Sequence, residues 1–526
     1  MSETQAQPPV ENAGDDDKVP AYSWYVLVVL VVVYIFNFID RQIVSILAVD
    51  IQRDLGLNDS QLGFLGGAAF ATFYALFGVP LGRLADNWRR IRLLTIGLSL
   101  WSAMTAFSGL AKNFATLSLA RMGVGVGEAT ASPTAYSLIS DYFPARKRAT
   151  ALAIYSSGIY LGGGVSLLIG ASISKAWDDA FPGGGPAGLV GWQAAFLAVG
   201  IPGLLLAGWV ATLREPAREP DPSSDRAHPL RAFFVDLSTL LPPFTLIHAG
   251  RRGVGALGTN ILVGLAMALV AWVMIGLTGN LPQWASIAFG YYAVFSWATT
   301  LRVRDPATFK LIWGTPAFIT TALGYGLVSL AAYALSFWAA PFAEVVLKLP
   351  KAQLAFILGA NGAIAGFLGV IIGGWMSDRL RTRIPAGRIL VIMFGVVGPI
   401  LPIWIGYTTD SAVVFYVMNF FAGMFGATAL GAAAATTQDL VLPRMRGTAT
   451  AAFFLATTLV GLALGPYMVG QISQTSGSMR IGVLSLIAVA PIAMLLLFHA
   501  YRTVPAAAAS VHERAREAMG EATRPA

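Results

Sequence analysis

The chain has no cysteine at all, which rules out disulfide frameworks and thiolate metal sites. Histidine is nearly as scarce. His228, His248, His499 and His512 all fall outside the predicted helix cores, which argues against a histidine-based metal or proton site. Charge is the third shortage: 12% of 526 residues are charged, where a soluble chain carries about a quarter. The abundant element is the apolar residue, 56% of the chain. These residues fall in repeated runs of about eighteen or more, each long enough to span the hydrocarbon of a bilayer as a helix.

A net charge of +8 raises the question of nucleic acid, and the placement of the charges answers it. About 27 of the 35 Lys and Arg fall in alternate loops and tails on one side, about 6 on the other and two within helices. That asymmetry marks a multi-span membrane protein, excludes nucleic acid as the partner, and makes the basic side cytoplasmic, against anionic lipid headgroups. The expected location is the cytoplasmic (inner) membrane with both termini cytoplasmic. Glu3, Glu11 and Asp15–Asp17 give the N-terminal region the wrong charge for a signal peptide. The first apolar run, from Tyr22, is therefore expected to act as an uncleaved first helix.

Spans are predicted near 22–47, 61–81, 92–111, 114–138, 149–173 and 190–213, and again near 316–341, 353–375, 388–407, 411–438, 447–470 and 481–501. Between the sets, a Pro- and charge-rich loop leads into an amphipathic helix over 230–241. Two more apolar runs follow, near 254–278 and 282–301, joined by Gly279-Asn280-Leu281-Pro282. A hairpin of two spans preserves the sidedness of everything after it; the alternative is that one run is re-entrant or interfacial. The expected fold is an all-α integral membrane protein of about fourteen spans, two pseudo-symmetric six-helix bundles with two extra transmembrane helices between them. The divisions are a tail (1–21), a first bundle (22–213), a linker with the extra spans (214–315), a second bundle (316–502) and a tail (503–526).

The two halves carry a repeat. Leu55–Asp86 aligns without a gap on Leu347–Asp378, with eleven of thirty-two positions identical at an offset of 292, including Gly82/Gly374 and Asp86/Asp378. A membrane protein built from two copies of one helical unit is most often a transporter, its copies rocking about a site at their interface. No nucleophile–histidine pair or metal-ligand cluster appears in the spans, so neither an enzyme nor a cofactor is expected. The expected partners are a small substrate, protons and membrane lipid, with the protein a monomer.

Gly82-Arg-Leu-Ala-Asp86-Asn-Trp-Arg-Arg90 closely resembles the loop signature of the major facilitator superfamily, with Arg89 where the family usually has Gly. The resemblance implies a cytoplasmic gate formed by Gly82, Asp86 and Arg90, echoed at Asp378 and Arg379; the plain alternative is charge that only sets topology. Arg121-Met-Gly-Val-Gly-Val-Gly-Glu128 resembles the family's fourth-helix motif, its glycines permitting tight packing. Gly158–Gly164 and Gly461–Gly465 fall in equivalent fifth and eleventh spans, where small residues allow close approach and bending.

Asn37, Asp40 and Arg41 form one polar stripe on an otherwise apolar helix, and charges at such depth usually face a polar cavity. Depth counting puts Asp40 and Arg121 at one level, about seven residues from the outer ends of their spans, with Glu128 roughly 10 Å deeper. An Asp40–Arg121 contact is expected. A carboxylate beside a movable arginine can switch its proton affinity, so Asp40 and Glu128 are the candidates for proton coupling; a static buried pair is the alternative. At the repeat offsets, Asp40, Arg41, Arg121 and Glu128 become Ala332, Tyr333, Asn419 and Gly426. Such a cavity suits an amphipathic substrate. Its charged head would meet Arg41 and Arg121, with Asn37 beside them. Its apolar part would lie along Tyr325, Ser329, Tyr333, Phe337, Asn361 and Asn419, although aromatic residues there equally serve packing.

Phe38-Ile-Asp40-Arg41, Tyr74–Asp86, Gly127-Glu-Ala-Thr-Ala-Ser-Pro133 and Tyr136–Pro144 are similar to the Spinster-type branch of the superfamily. The two central spans depart from its twelve-helix plan. The resemblance implies transport of lysophospholipids or sphingolipid-like molecules, with protons implicated in coupling. A proton-coupled carrier of small organic anions or drugs uses the same charges equally well, and a transporter-like membrane sensor is the alternative of another class.

Overall fold

The computed structural model describes residues 19–216 and 229–522. Most of the expected N-terminal tail, the interior of the Pro- and charge-rich loop with His228, and the last four residues of the C-terminal tail lie outside the described residues.

The described residues are helical almost throughout. The first set comprises α1 (Ala21–Leu55), α2 (Asp59–Gly66), α3 (Ala68–Asn87), α4 (Arg90–Ser108), α5 (Phe114–Glu128), α6 (Ala131–Tyr142), α7 (Ala145–Ala180) and α8 (Gly191–Ala211). The central segment holds α9 (Pro229–Ser238), α10 (Phe244–Arg251), α11 (Val254–Thr278), α12 (Leu281–Arg304) and α13 (Pro306–Ile312). The second set begins with α14 (Pro316–Val345), α15 (Lys351–Arg381), α16 (Gly387–Val397), α17 (Ile400–Thr408), α18 (Ala412–Ala427) and α19 (Ala429–Asp439). It ends with α20 (Arg446–Ala456), α21 (Gly465–Ser476), α22 (Met479–Leu484), α23 (Val489–Ala509) and α24 (Val511–Ala522).

Short polar residues start these helices and glycines stop them. Asn58 accepts from the backbone N–H of Gln61 while the Gln61 side chain accepts from that of Asn58, a reciprocal cap. Ser411 and Ser478 cap α18 and α22. Gly56, Gly279 and Gly477 take left-handed φ values of 63°, 71° and 67° at helix ends, where a side chain would be strained.

Among the described residues, twelve helical stretches are long and apolar enough to cross a membrane. The two expected spans that are not among them are helical too. One is α5–α6, interrupted at Ala129–Thr130 and carrying Arg121, Glu128 and Asp141; the other is α12, which carries Gln283, Ser286, Tyr291, Tyr292 and Ser296 along its length. The predicted amphipathic segment is the shorter α9.

Packing follows the repeat. In the first set α1 lies on α7 and α3 on α5; in the second, α14 lies on α21 and the π turn (Thr457–Leu462) that precedes it, and α15 on α18. One hydrophobic core, around Leu94, Trp101 and Phe143, belongs to the first set alone. Another, around Ile43, Phe196, Trp338 and Phe342, joins the two sets. Two broken helices meet at their breaks. α2 and α3 part at Gly67, and α20 and α21 are separated by that π turn. A Cβ on Gly67 would stand 2.7 Å from the Leu462 carbonyl oxygen, so the crossing tolerates no side chain there.

Candidate functional site

Spacing on α1 puts Asn37, Asp40 and Arg41 on one face, and α5 presents Arg121 and Glu128 to it. Glycine makes the approach possible: a Cβ on Gly125 would sit 2.5 Å from the Phe70 carbonyl oxygen, and one on Gly127 2.7 Å from the Trp101 nitrogen. Arg41 Nε donates to Glu128 Oε2 at 2.6 Å, with the glutamate side chain fully buried and the arginine 17% exposed. Its guanidinium lies 5.0, 4.7 and 4.6 Å from the ring centres of Phe38, Phe70 and Tyr74, a cage that holds the cation over aromatic faces.

The expected meeting of Asp40 and Arg121 takes a different form. Arg121 Nη1 donates to the main-chain oxygen of Asp40 at 2.9 Å rather than to its carboxylate. Both residues are buried. Asp40 Oδ1, both amide atoms of Asn37, Glu128 Oε1, Arg121 Nε and the polar atoms of Trp101, Ser102 and Thr105 are buried with no protein hydrogen-bond partner. Buried polar atoms are usually paired, so this concentration sets the first set's interior apart from ordinary core.

In front of this cluster lies a cavity of about 1670 Å³ between the two sets. Of the four deep charges, Arg41 alone is on its wall; Asp40, Arg121 and Glu128 stand behind it, as does Asn37. Tyr325, Tyr333, Asn361 and Asn419 line the facing side. Asn361 Nδ2 donates to the Tyr416 carbonyl oxygen at 2.9 Å, and Asn419 Nδ2 to the Tyr407 hydroxyl at 3.1 Å, which fixes both amides. Ser329 and Phe337 are not on the wall. Ser329 packs where a Cβ on Gly461 would be, and the Phe337 ring packs against Gly66 and Trp338. The repeat offset pointed to Ser329, and Phe337 was expected beside Tyr333 on the same helix; both sit on α14 but face its packed sides.

The cavity runs to the basic end of the molecule, where Gly82, Arg83 and Asp86 of α3 and Arg444 beyond α19 line it. Arg90 is turned away from the second set: it pairs with Asp141 and, at 2.9 Å, with Glu215. Arg83 is held by Asp236 of α9 at 2.8 Å, and Asp236 also takes Arg304 at 2.8 Å. Asp378 and Arg379 are exposed, the latter 5.7 Å over the Trp375 ring.

The opposite end is shut by contacts between the sets. Lys351 pairs with Asp50 and stands 3.5 Å from Glu344. Gln42 Nε2 donates to Ser336 Oγ at 2.7 Å, and Ser45 Oγ to the Phe337 carbonyl oxygen at 2.6 Å. Asp59 accepts from Ser473 Oγ at 2.5 Å, and within the second set Trp338 Nε1 donates to the Pro466 carbonyl oxygen at 2.8 Å, bracing the face that α2 meets. Sequence reading missed the Arg41–Glu128 pair because it matched charges by backbone depth, and an arginine side chain reaches well past its own level. It missed the cage as well, although Phe70 and Tyr74 stand at the i, i+4 spacing that puts two rings on one face.

A sequence profile described as the Major Facilitator Superfamily matches residues 30–466 and 321–523. The chain is similar to an MFS-type efflux pump of Mycolicibacterium smegmatis, 24% identical over 90% of this chain and 90% of that protein. It is similar to Protein spinster of Drosophila melanogaster, 23% identical over 86% of this chain and 62% of that protein. Protein spinster homolog 1 of Homo sapiens is 27% identical over 86% and 74%. Among solved structures, a bacterial homolog to the human lysosomal transporter Spinster, in an inward-facing and occupied conformation, superposes with a TM-score of 0.68. That pair shares 24% identity over 92% of this chain and 98% of the other. A D-xylose–proton symporter has a TM-score of 0.60 at 14% identity, over 92% and 98%.

Proposed function

We propose that this chain, which belongs to the Major Facilitator Superfamily and is a Spinster-type transporter rather than an enzyme, is a proton-coupled secondary transporter of amphipathic lipids such as lysophospholipids. The observation that carries the reading is a single cage-held cation, Arg41, on the wall of a large cavity, ion-paired to Glu128 behind it.

An anionic head group at Arg41 competes with Glu128 for the same guanidinium. A buried carboxylate that loses its cation is costly in this setting and takes a proton instead. Proton and anion then bind cooperatively, each making room for the other, which is the condition for moving them together. Asp40, its Oδ1 unpartnered beside Arg121, is the second proton carrier, and Asn37 steadies the pair. The acyl chain lies along Tyr325, Tyr333, Asn361 and Asn419. Ser329 and Phe337 support that wall from behind.

The arrangement that supports alternating access is fourteen spans, with α5–α6 and α12 counted. They form two six-helix bundles over 22–213 and 316–502, with the segment 214–315 between them and tails at 1–21 and 503–526. With the basic end cytoplasmic, the conformation is inward-facing, and a monomer in the inner membrane has both termini in the cytoplasm. Gly82, Asp86 and Arg90, with Asp378 and Arg379, form the gate that closes over the cavity mouth in the other state.

Uptake of labelled lysophosphatidylethanolamine into proteoliposomes, with and without a pH gradient, tests the reading. Gradient-stimulated uptake is expected; uptake indifferent to the gradient would overturn coupling. A second reading, a carrier of small organic anions or drugs, is favoured by the likeness to the mycobacterial efflux pump. Gradient-driven flux of such compounds with no lysolipid flux would establish it instead.

A further inference from the structure

The central segment reaches the cavity through Trp297 of α12. Two seams run between the sets, α7 against α15 on one side and, on the other, α3 against α20 and the π turn with α2 against α21. On the first, a Cβ on Gly164 would stand 2.7 Å from the Gly359 carbonyl oxygen, and a Cβ on Gly366 would overlap the Tyr160 ring at 2.3 Å. The helices packed on α7 and α15 there all belong to the two sets. The second seam is covered by α12, which lies along α3 and the π turn together.

Its contacts alternate between the sets. Asn280 Nδ2 donates to Ser60 Oγ of α2 at 3.3 Å, and Gln283 Nε2 to the Ala463 carbonyl oxygen at 2.9 Å. Trp284 meets the Tyr467 ring edge-on at 5.8 Å. Gly290 sits so close in the groove that a Cβ would lie 3.4 Å from Thr72 of α3 and 3.1 Å from Leu459 of the π turn. Two turns further on, Trp297 reaches through to the cavity itself, while its other faces bound two small voids, of about 10 Å³ each, beside Val79 and Leu240. The face of α12 turned inward thus mixes polar and aromatic residues (Gln283, Tyr292, Ser296, Trp297) with small and aliphatic ones (Ile287, Gly290, Ala293). α11 outside it buries only Asn260 and Ala271.

We propose that α12 is a third wall of the transport site, sealing the seam between α3 and α20–α21 against the bilayer and placing Trp297 where it limits the length of apolar cargo the cavity accepts. The size limit rests on the amphipathic-substrate reading above; the placement of the wall does not. Removing the indole joins the cavity to the voids behind it, so a longer chain finds room in the direction of Leu240.

Because the chain has no cysteine, a single introduced thiol is unique. The full-length Trp297→Cys variant in nanodiscs is expected to react with a charged methanethiosulfonate reagent. Ala293→Cys, on the sealed part of α12, and Leu265→Cys, on α11, are expected to stay unmodified. Trp297→Ala is expected to raise the ratio of stearoyl- to myristoyl-lysophosphatidylethanolamine uptake about tenfold, the scale on which a hydrophobic pocket discriminates chain length. Trp297→Phe, which keeps more of the packing, is expected to give an intermediate ratio. Failure of Trp297→Cys to react, or reaction of Ala293→Cys to the same extent, overturns the wall. An unchanged ratio in both Trp297 variants overturns the size limit. If the parent chain moves neither lysolipid, the lipid reading falls on its own, and the thiol reactions still decide where α12 stands.

Discussion

The two sets of spans agree at their basic ends and disagree in their middles. Arg90 pairs with Asp141 at the start of α4, and Arg388 pairs with Asp439 at 2.5 Å at the start of α16. The two pairs are related by the same offset of 298 that aligns the fourth and tenth spans. Deeper in, the correspondence ends. The first set has Asp40, Arg41, Arg121 and Glu128 with their unpartnered polar neighbours, where the second has Ala332, Tyr333, Asn419 and Gly426. Repeated ion pairs at the helix ends hold each set as a unit. An unrepeated cluster of charges is the place where one set does something the other does not. On the proposed function, the difference separates residues that keep the sets rigid from residues that couple protons to substrate.

The comparison breaks most severely at Glu128. Glu128→Gln keeps the shape and leaves Arg41 without its carboxylate, so gradient-driven uptake is expected to fall by about a hundredfold or more while gradient-independent exchange persists. If proton-driven uptake survives, the first set's charges are a static lock and the asymmetry is structural only. Stability is expected to drop as well, by about 3 kcal/mol, the usual scale for removing one partner of a buried pair. Urea unfolding in detergent reads that directly.

The ends are expected to be alike in kind and unequal in size. Arg90 is fully buried and answers both Asp141 and Glu215, whereas the Arg388 side chain is 15% exposed and shares Asp439 with Arg381 at 3.0 Å. Arg90→Ala should therefore cost about 2–3 kcal/mol, discounted for the partly wet carboxylates, and Arg388→Ala about 1 kcal/mol. Thermal unfolding of the two variants side by side measures the ratio. Equal losses would mean that the burial of Arg90 adds nothing and that the helix-end pairs are interchangeable.

Much of this was legible in the chain because bilayer length and the repeat both constrain it. Apolar runs marked helices that extend one to two turns beyond some predicted ends, as where the run from 353 to 375 became Lys351–Arg381 and that from 22 to 47 became Ala21–Leu55. The i, i+3, i+4 stripe at Asn37, Asp40 and Arg41 located the polar cluster. Which partner each charge takes was not legible, since that depends on side-chain reach: Arg41 crosses to Glu128, while Arg121 settles on a carbonyl oxygen. Nor was the facing of Ser329 and Phe337, because α14 buries residues on nearly every side and its sequence carries no stripe to orient it. The place of α12 was hidden for a related reason. Its polar residues make it less apolar than its neighbours, and only the packing reveals that they serve a seam between the sets.

The subtlest test concerns the closed end. Lys351 of α15 joins Asp50 of α1 to Glu344 of α14, so it ties the first set to the second where the cavity ends. The three side chains are 18%, 12% and 22% exposed, which places the cluster between a buried pair and a surface one. Lys351→Met removes the tie and leaves two acids near each other, which disfavours the closed end without touching the cavity or Glu128. A change of about 1 kcal/mol in that balance shifts the populations about fivefold. A thiol at Ala332, which lines the cavity one turn inside the Gln42–Ser336 contact, should then react about fivefold faster with an impermeant reagent applied from the non-basic side. Lys175→Met is the control, since its pair with Asp179 is exposed on both sides and joins nothing across the sets. Should the two substitutions change the reaction rate equally, the Lys351 cluster is surface charge, and the closed end is held by the Gln42–Ser336, Ser45–Phe337 and Asp59–Ser473 hydrogen bonds with the close approaches at Gly63 and Gly470.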